Sequence, residues 1–234
     1  MIYVLTNIGA WLGIAILFYI GVLLDYKNWK KISILTITIT SLLIALSVIL
    51  TNVISYTIPF PFMGGGVIKL ALGNFLIFVI GMLFGPFFGV LSGLATDALG
   101  ALVNIAGTYH SGFAFNLALY GFLGSMVFLF KSDKFWILKT IILYTISFAL
   151  ISFAFNVLWL YATGLKQVLF PMAFVVRAIK FPIQLAIYLP MVISSFTILY
   201  KLIISRHNIA LWCTQKGLLV LTPIKFKKQK TCNG

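Results

Sequence analysis

Residues 2–24 read IYVLTNIGAWLGIAILFYIGVLL, with no charged side chain among them. An α-helix rises about 1.5 Å per residue, so this run is long enough to cross the roughly 30 Å of hydrocarbon in a bilayer. Directly after it stand Asp25, Lys27, Lys30 and Lys31. A secretory signal would instead carry its basic residues ahead of the apolar stretch and a small-residue cleavage site behind it. The run is therefore expected to be an uncleaved transmembrane helix with its N-terminus outside.

The rest of the chain repeats the pattern. Further apolar runs cover about residues 32–57, 70–84, 87–105, 113–130, 135–162 and 172–204, the last with Pro182 and Pro190 inside it, where kinks are expected. Between the second and third lies Ile58-Pro59-Phe60-Pro61-Phe62-Met63-Gly64-Gly65-Gly66, which no helix tolerates. In all, 62% of the residues are hydrophobic and 9% charged, against about 25% charged in soluble domains, so the solvent must be mostly lipid. Only helices and closed barrels satisfy their backbones in hydrocarbon, and barrel strands would alternate with period two. Continuous apolar runs select an all-α membrane protein of seven helices.

The net charge of +14 comes from 17 basic and 3 acidic residues. Nucleic acid is not the expected partner, because the basic residues sit between apolar runs or in the tail. Lys27, Lys30 and Lys31, then Lys131, Lys134 and Lys139, then Lys201, Arg206, Lys216, Lys225, Lys227, Lys228 and Lys230 are 13 of the 17. All fall on one side if the helices are counted as above. That side is expected to be cytoplasmic, in a multi-pass protein of the plasma membrane. The expected organisation is an extra N-terminal helix with its basic loop (1–31), a six-helix membrane domain (32–204) and a basic cytoplasmic tail (205–234), solvated or lying on anionic lipid. Cys213 and Cys232 are in the tail, without metal or redox spacing, and should be free thiols.

Lys69, Lys166, Arg177 and Lys180 fall on the opposite, outer side, against the topology rule. Snorkelling to the interface suffices for Lys166. Arg177, Lys180 and Gln184 are spaced i, i+3, i+7 on one helix face, which points to a polar pocket. Asp97 is the one acid inside a membrane helix; it either pairs with a basic residue or accepts hydrogen bonds from an amine-bearing ligand. Gly85, Gly89 and Gly93 precede it at intervals of four, a spacing for close packing of helices within the molecule. Ser41 and Ala45 form a similar small pair that suits a partner helix. Ser152, Asn156 and Trp159 share a face of the sixth helix. His110 lies in the outer loop Gly107-Thr108-Tyr109-His110-Ser111-Gly112 and His207 in the tail, so no metal site is expected. There is no Walker A sequence and no zinc-protease or Ser/His/Asp pattern, so neither ATP hydrolysis nor other catalysis is expected, and no cofactor.

The stretches Gly66-Val67-Ile68-Lys69-Leu70-Ala71-Leu72-Gly73-Asn74-Phe75, Gly81-Met82-Leu83-Phe84-Gly85-Pro86 and Gly93-Leu94-Ala95-Thr96-Asp97-Ala98-Leu99-Gly100, with the residue 107–113 loop, resemble the S components of energy-coupling factor (ECF) transporters. Asn156-Val157-Leu158-Trp159-Leu160 and Arg177 with Lys180 ahead of Pro182 look most like the folate branch. The resemblance runs over about residues 32–199. It implies a six-helix bundle binding one vitamin near its outer face, folate first and another vitamin second. It also implies partnership with a membrane coupling protein and two ATPase subunits. A self-sufficient secondary transporter is the alternative, disfavoured by the scarcity of membrane acids. On the resemblance, Ser41 and Ala45 would meet the coupling protein. Lys69, Asn74, Asp97, Tyr109, His110, Asn156, Trp159, Arg177, Lys180 and Gln184 would bind substrate. Asp97 or Asn156 would read the pterin edge, Trp159 and Tyr109 would stack on rings, and Lys69, Arg177 and Lys180 would neutralise the glutamate tail. The family usually has Arg at the place of Lys69, and a lysine cannot form the planar bidentate pair. The first helix and the tail lie outside the six-helix pattern.

Overall fold

The structure, a computed structural model, describes residues 2–26, 33–52, 56–59, 67–70, 73–103, 109–129, 135–164, 171–206 and 211–215. The elements in order are α1 (Ile2–Asp25), α2 (Ile34–Asn52), β1 (Tyr56–Pro59), β2 (Val67–Leu70), α3 (Asn74–Phe84), α4 (Pro86–Val103), α5 (Ser111–Met126) and α6 (Trp136–Ala149). A π-helical stretch (Leu150–Phe155) then joins α6 to α7 (Asn156–Ala162), and α8 (Pro171–Arg206) and α9 (Trp212–Gln215) follow. Five helical spans among the described residues are long and apolar enough to cross a membrane: α1, α2, α4, the continuous Trp136–Ala162 and most of α8. With the shorter α3 and α5 they make six bundle helices plus α1.

α3 explains the layout. Every residue from Phe75 to Phe84 is buried, as expected of a helix that is apolar all round. Yet its 11 residues amount to about 16 Å, roughly half the hydrocarbon thickness. It is the central post, packed on by α2, α4, α5, α8 and α9. At its C-terminal end Gly85 takes φ 99°, a left-handed conformation suited to glycine, and turns the chain into α4.

α4 and α5 lie nearly backbone to backbone. A β-carbon on Gly89 or Gly121 would run into the other's carbonyl, and one on Gly93 into the backbone of Leu117. The glycine stripe thus closes an internal contact. α1 packs on α4, α5 and α7 along Ala10, Ile14, Leu17, Gly21 and Asp25, all buried, and presents its opposite side to lipid.

Two segments differ from the sequence expectation. The second helix ends at Asn52 rather than Thr57, and the third begins at Asn74 rather than near Leu70. Between them β1 and β2 form an antiparallel hairpin, with Thr57 opposite Lys69 and Ile58 opposite Ile68. The cause of the late start is visible at Gly73. Its carbonyl accepts from Ser47 Oγ–H at 2.9 Å, and a β-carbon there would collide with the Ser47 backbone. The chain is thus pinned to α2 one residue before α3 can begin. The second difference is the tail. Leu211, Trp212 and Cys213 are buried, and Trp212 Nε1–H donates to the Ser125 carbonyl at 3.0 Å. The root of this basic segment is packed beneath α3 and α5. Cys213 is a buried thiol that forms no disulfide among the described residues; Cys232 lies outside them.

Candidate functional site

Because α3 is short, space opens beyond its N-terminus, toward the hairpin end of the bundle. A cavity of about 170 Å³ lies there, among α3, α5, α6, the π-helical stretch, α7 and α8. Tyr120, Tyr144, Phe148, Ile151 and Tyr188 form its apolar walls, and Asn74, Ser152, Asn156 and Gln184 supply its polar groups. Flat aromatic walls with a few convergent carboxamides suit a flat heteroaromatic ligand.

The carboxamides are directional. Asn74 Oδ1 is buried and has no hydrogen-bond partner within the described protein. The orientation of Asn156 follows from a neighbour that can only donate. Trp159 Nε1–H meets Asn116 at 3.1 Å, so the contacting Asn116 atom is Oδ1. The Asn116 amide nitrogen then faces Asn156 Oδ1 at 2.9 Å. This leaves the Asn156 amide nitrogen as the free donor at the cavity. The indole of Trp159 thereby fixes which half of the Asn156 side chain a ligand meets.

The inward stripe of α8 changes character on approaching this site. Tyr188, Val192, Phe196, Tyr200 and Ile203 are buried in the core. One turn nearer the hairpin end the same face presents Gln184, and beyond it Lys180 and Arg177, both half-buried. The described acids lie elsewhere: Asp25 is at the opposite end, and Asp97 accepts from Tyr109 Oη–H at 2.7 Å. By helix rise, Lys180 and Arg177 stand roughly 6 and 10 Å along the axis from Gln184, a cavity-lining amide. An anionic ligand extending from the cavity along α8 would meet them.

The site residues expected from sequence thus fall into two groups. Asn74, Asn156 and Gln184 line the cavity, with Lys180 and Arg177 above it. Asp97, Tyr109, His110 and Trp159 lie on the α1 side of α5. Tyr109 is exposed, and burial, followed by Asp97, pushes its phenol well above its ordinary value. It keeps its proton and donates it in the Asp97 bond. Trp159 is buried and committed to Asn116. The backbone of Lys69 is in β2, while its side chain and all of Lys166 lie outside what is described. Ser41 and Ala45 are exposed on α2, the helix α1 leaves uncovered. Sequence reasoning missed Asn116, Tyr120, Tyr144, Phe148 and Tyr188. The available signals were an asparagine within apolar α5 and the i, i+4 pairs Tyr144/Phe148 and Gln184/Tyr188.

His110 is fully buried and caps α5: its Nδ1 accepts from Gly112 N–H at 2.9 Å. Nε2 must then carry the proton, which it donates to Thr6 Oγ1 at 3.0 Å. Burial lowers the imidazole's pKa below its ordinary 6.5. The unfolded chain therefore binds this proton first as pH falls, so the cap's stabilisation is present above pH 6.5 and is lost on acidification. The expected loss is about 1 kcal/mol, seen as a falling melting temperature on acidification. His110→Asn, which keeps an acceptor, should flatten that slope; an unchanged slope would assign it to other groups.

The sequence model of the family described as "ECF transporter, substrate-specific component" matches residues 35–205, from α2 through α8. The folate transporter FolT of Clostridium novyi (strain NT) is 29% identical over 146 residues, spanning 61% of this chain and 78% of that protein. A crystal structure of FolT bound with folic acid aligns with a TM-score of 0.55 at 23% identity, covering 70% of this chain and 92% of that one. At that identity the structural likeness is one of fold.

Proposed function

Because the chain belongs to the substrate-specific components of ECF transporters, we propose that it is the membrane-embedded folate-binding subunit of such an importer. The observation that carries this is the cavity under the Arg177 and Lys180 face of α8. Its aromatic walls would sandwich the pterin, with Asn74 Oδ1 accepting from an amino or ring N–H group and the Asn156 amide donating to a ring nitrogen or carbonyl. The cavity itself is small for a drug-sized ligand, for which roughly 300 Å³ or more is usual, so it suits the ring system rather than the whole vitamin. The glutamate tail would extend along α8 to Lys180 and Arg177. The similarity to a folate transporter and to folic-acid-bound FolT supports the same ligand.

The chain's task is binding rather than catalysis. The tail faces the cytoplasm in this reading, and the hairpin end faces outward. Energy comes from a coupling protein and two ATPase subunits. Ser41 and Ala45, exposed and four residues apart on α2, would admit a helix of the coupling protein. The six-helix domain is residues 32–204, flanked by α1 and the basic tail.

The test is calorimetric titration of the purified chain in detergent with folate and a panel of other vitamins. Stoichiometric folate binding is expected; tight binding of a different vitamin instead would overturn the ligand. Within the same assay Arg177→Ala should weaken folate binding by about tenfold or more, by loss of a charge-assisted bond to a carboxylate, while Lys216→Ala has no effect. Equal effects would remove α8 from the site.

A further inference from the structure

The family's sequence pattern begins at residue 35, so α1 lies outside it. Its first two turns nonetheless carry, beside Tyr3, the adjacent Thr6 and Asn7, polar groups that a mere lipid anchor has no use for. Each is engaged by the segment that opens α5. Tyr3 Oη–H donates to the Tyr109 carbonyl at 2.5 Å. Thr6 Oγ1 accepts from His110 Nε2–H at 3.0 Å. Asn7 Oδ1 accepts from both Ser111 N–H at 3.0 Å and Ser111 Oγ–H at 2.7 Å. Three consecutive residues, Tyr109, His110 and Ser111, are thus held by one helix.

The contacts continue inward. The His110 ring lies against Trp159, with centroids 5.3 Å apart and planes inclined by 31°. Trp159 holds Asn116, and Asn116 holds Asn156. We propose that α1 is part of the ligand site, with Thr6 and Asn7 as positioning residues. They fix His110 and Trp159, and through Asn116 they set the Asn156 amide at the cavity. This deepens the folate-binding reading and rests on it.

The experiment uses the full chain in detergent and compares Thr6→Val with Asn7→Leu, Thr6→Val alone, Thr6→Ser and Leu17→Ala. Leu17 is buried against α4 and α5, remote from these bonds. The double variant should raise the folate Kd about tenfold by releasing the loop. Thr6→Val alone should give part of that loss and carries the test if the double variant does not fold. Thr6→Ser, which keeps the hydroxyl, should bind like the parent. Leu17→Ala should lower the melting temperature and leave the Kd unchanged. A parental Kd in Thr6→Val and in the double variant overturns the inference, as does an equal loss in Leu17→Ala. If the parent binds no folate, the ligand reading fails by itself, and hydrogen exchange decides the positioning. Faster exchange at residues 111–116 and 156–159 in the variants supports it, and unchanged exchange overturns it.

Discussion

Gly121→Ala should prevent the chain from forming its bundle, although it adds one methyl group. The β-carbon would fall inside the van der Waals radius of the Gly89 carbonyl and lie 2.8 Å from Gly89 Cα. These are backbone atoms of a packed helix, so no side chain can swing aside. α4 and α5 would have to part, and the contact with α3 would shift with them, since Gly81 is pressed against the same Gly121 carbonyl. Overpacking that separates helices costs about 3 kcal/mol or more, a large share of a marginal stability. The expected result is aggregated protein on gel filtration in detergent. Gly9→Ala on α1 is the control: nothing lies within 4 Å of its β-carbon, and exchanging glycine for alanine there favours the helix. A monodisperse Gly121→Ala protein with the parental melting temperature would contradict the close contact described.

Asn156→Leu should raise the folate Kd by about 100-fold while leaving the chain folded. Two losses combine. The ligand loses its directed donor, and the Asn116 amide loses its acceptor, so the side chain anchored by Trp159 is left with a buried unpaired donor. Asn156→Asp separates the two. It preserves an oxygen for Asn116 but turns an acceptor toward the cavity, so binding should fail while the internal bonds survive. Calorimetry with both variants checks this. If Asn156→Leu binds folate as the parent does, the ligand does not use this cavity.

The membrane class and the number of bundle helices were legible because hydrocarbon leaves so few ways to satisfy a backbone, and unbroken apolar runs report that directly. The hairpin was not legible. Leu70-Ala71-Leu72 is as apolar as the helix that follows, and hydropathy cannot reveal that Gly73 is pinned against Ser47 on another helix. Trp212 was hidden for a related reason: charge composition describes the tail as a whole, while its burial depends on a hole left under Gly85 and Ser125. Of the candidate site, the α8 stripe and Asn156 could be read from spacing alone. The tyrosine walls could not, because tyrosine in an apolar helix reads equally well as an interfacial residue. Thr6 and Asn7 did leave a signal, two adjacent polar residues early in a lipid-type helix, but their partners lie over a hundred positions away.

The π-helical stretch has a further consequence. A wide turn absorbs one residue more than an α-turn, and one residue is worth about 100° of rotation about the axis. Everything after Phe155 is therefore dialled round by that angle relative to an uninterrupted helix. The sequence of α7 is consequently written in a different angular phase from that of α6. Removing a single residue between Leu150 and Phe155 would let the wide turn close to an α-turn and leave α7 aimed as it is, whereas closing the turn with every residue kept would aim all of its side chains at the wrong neighbours.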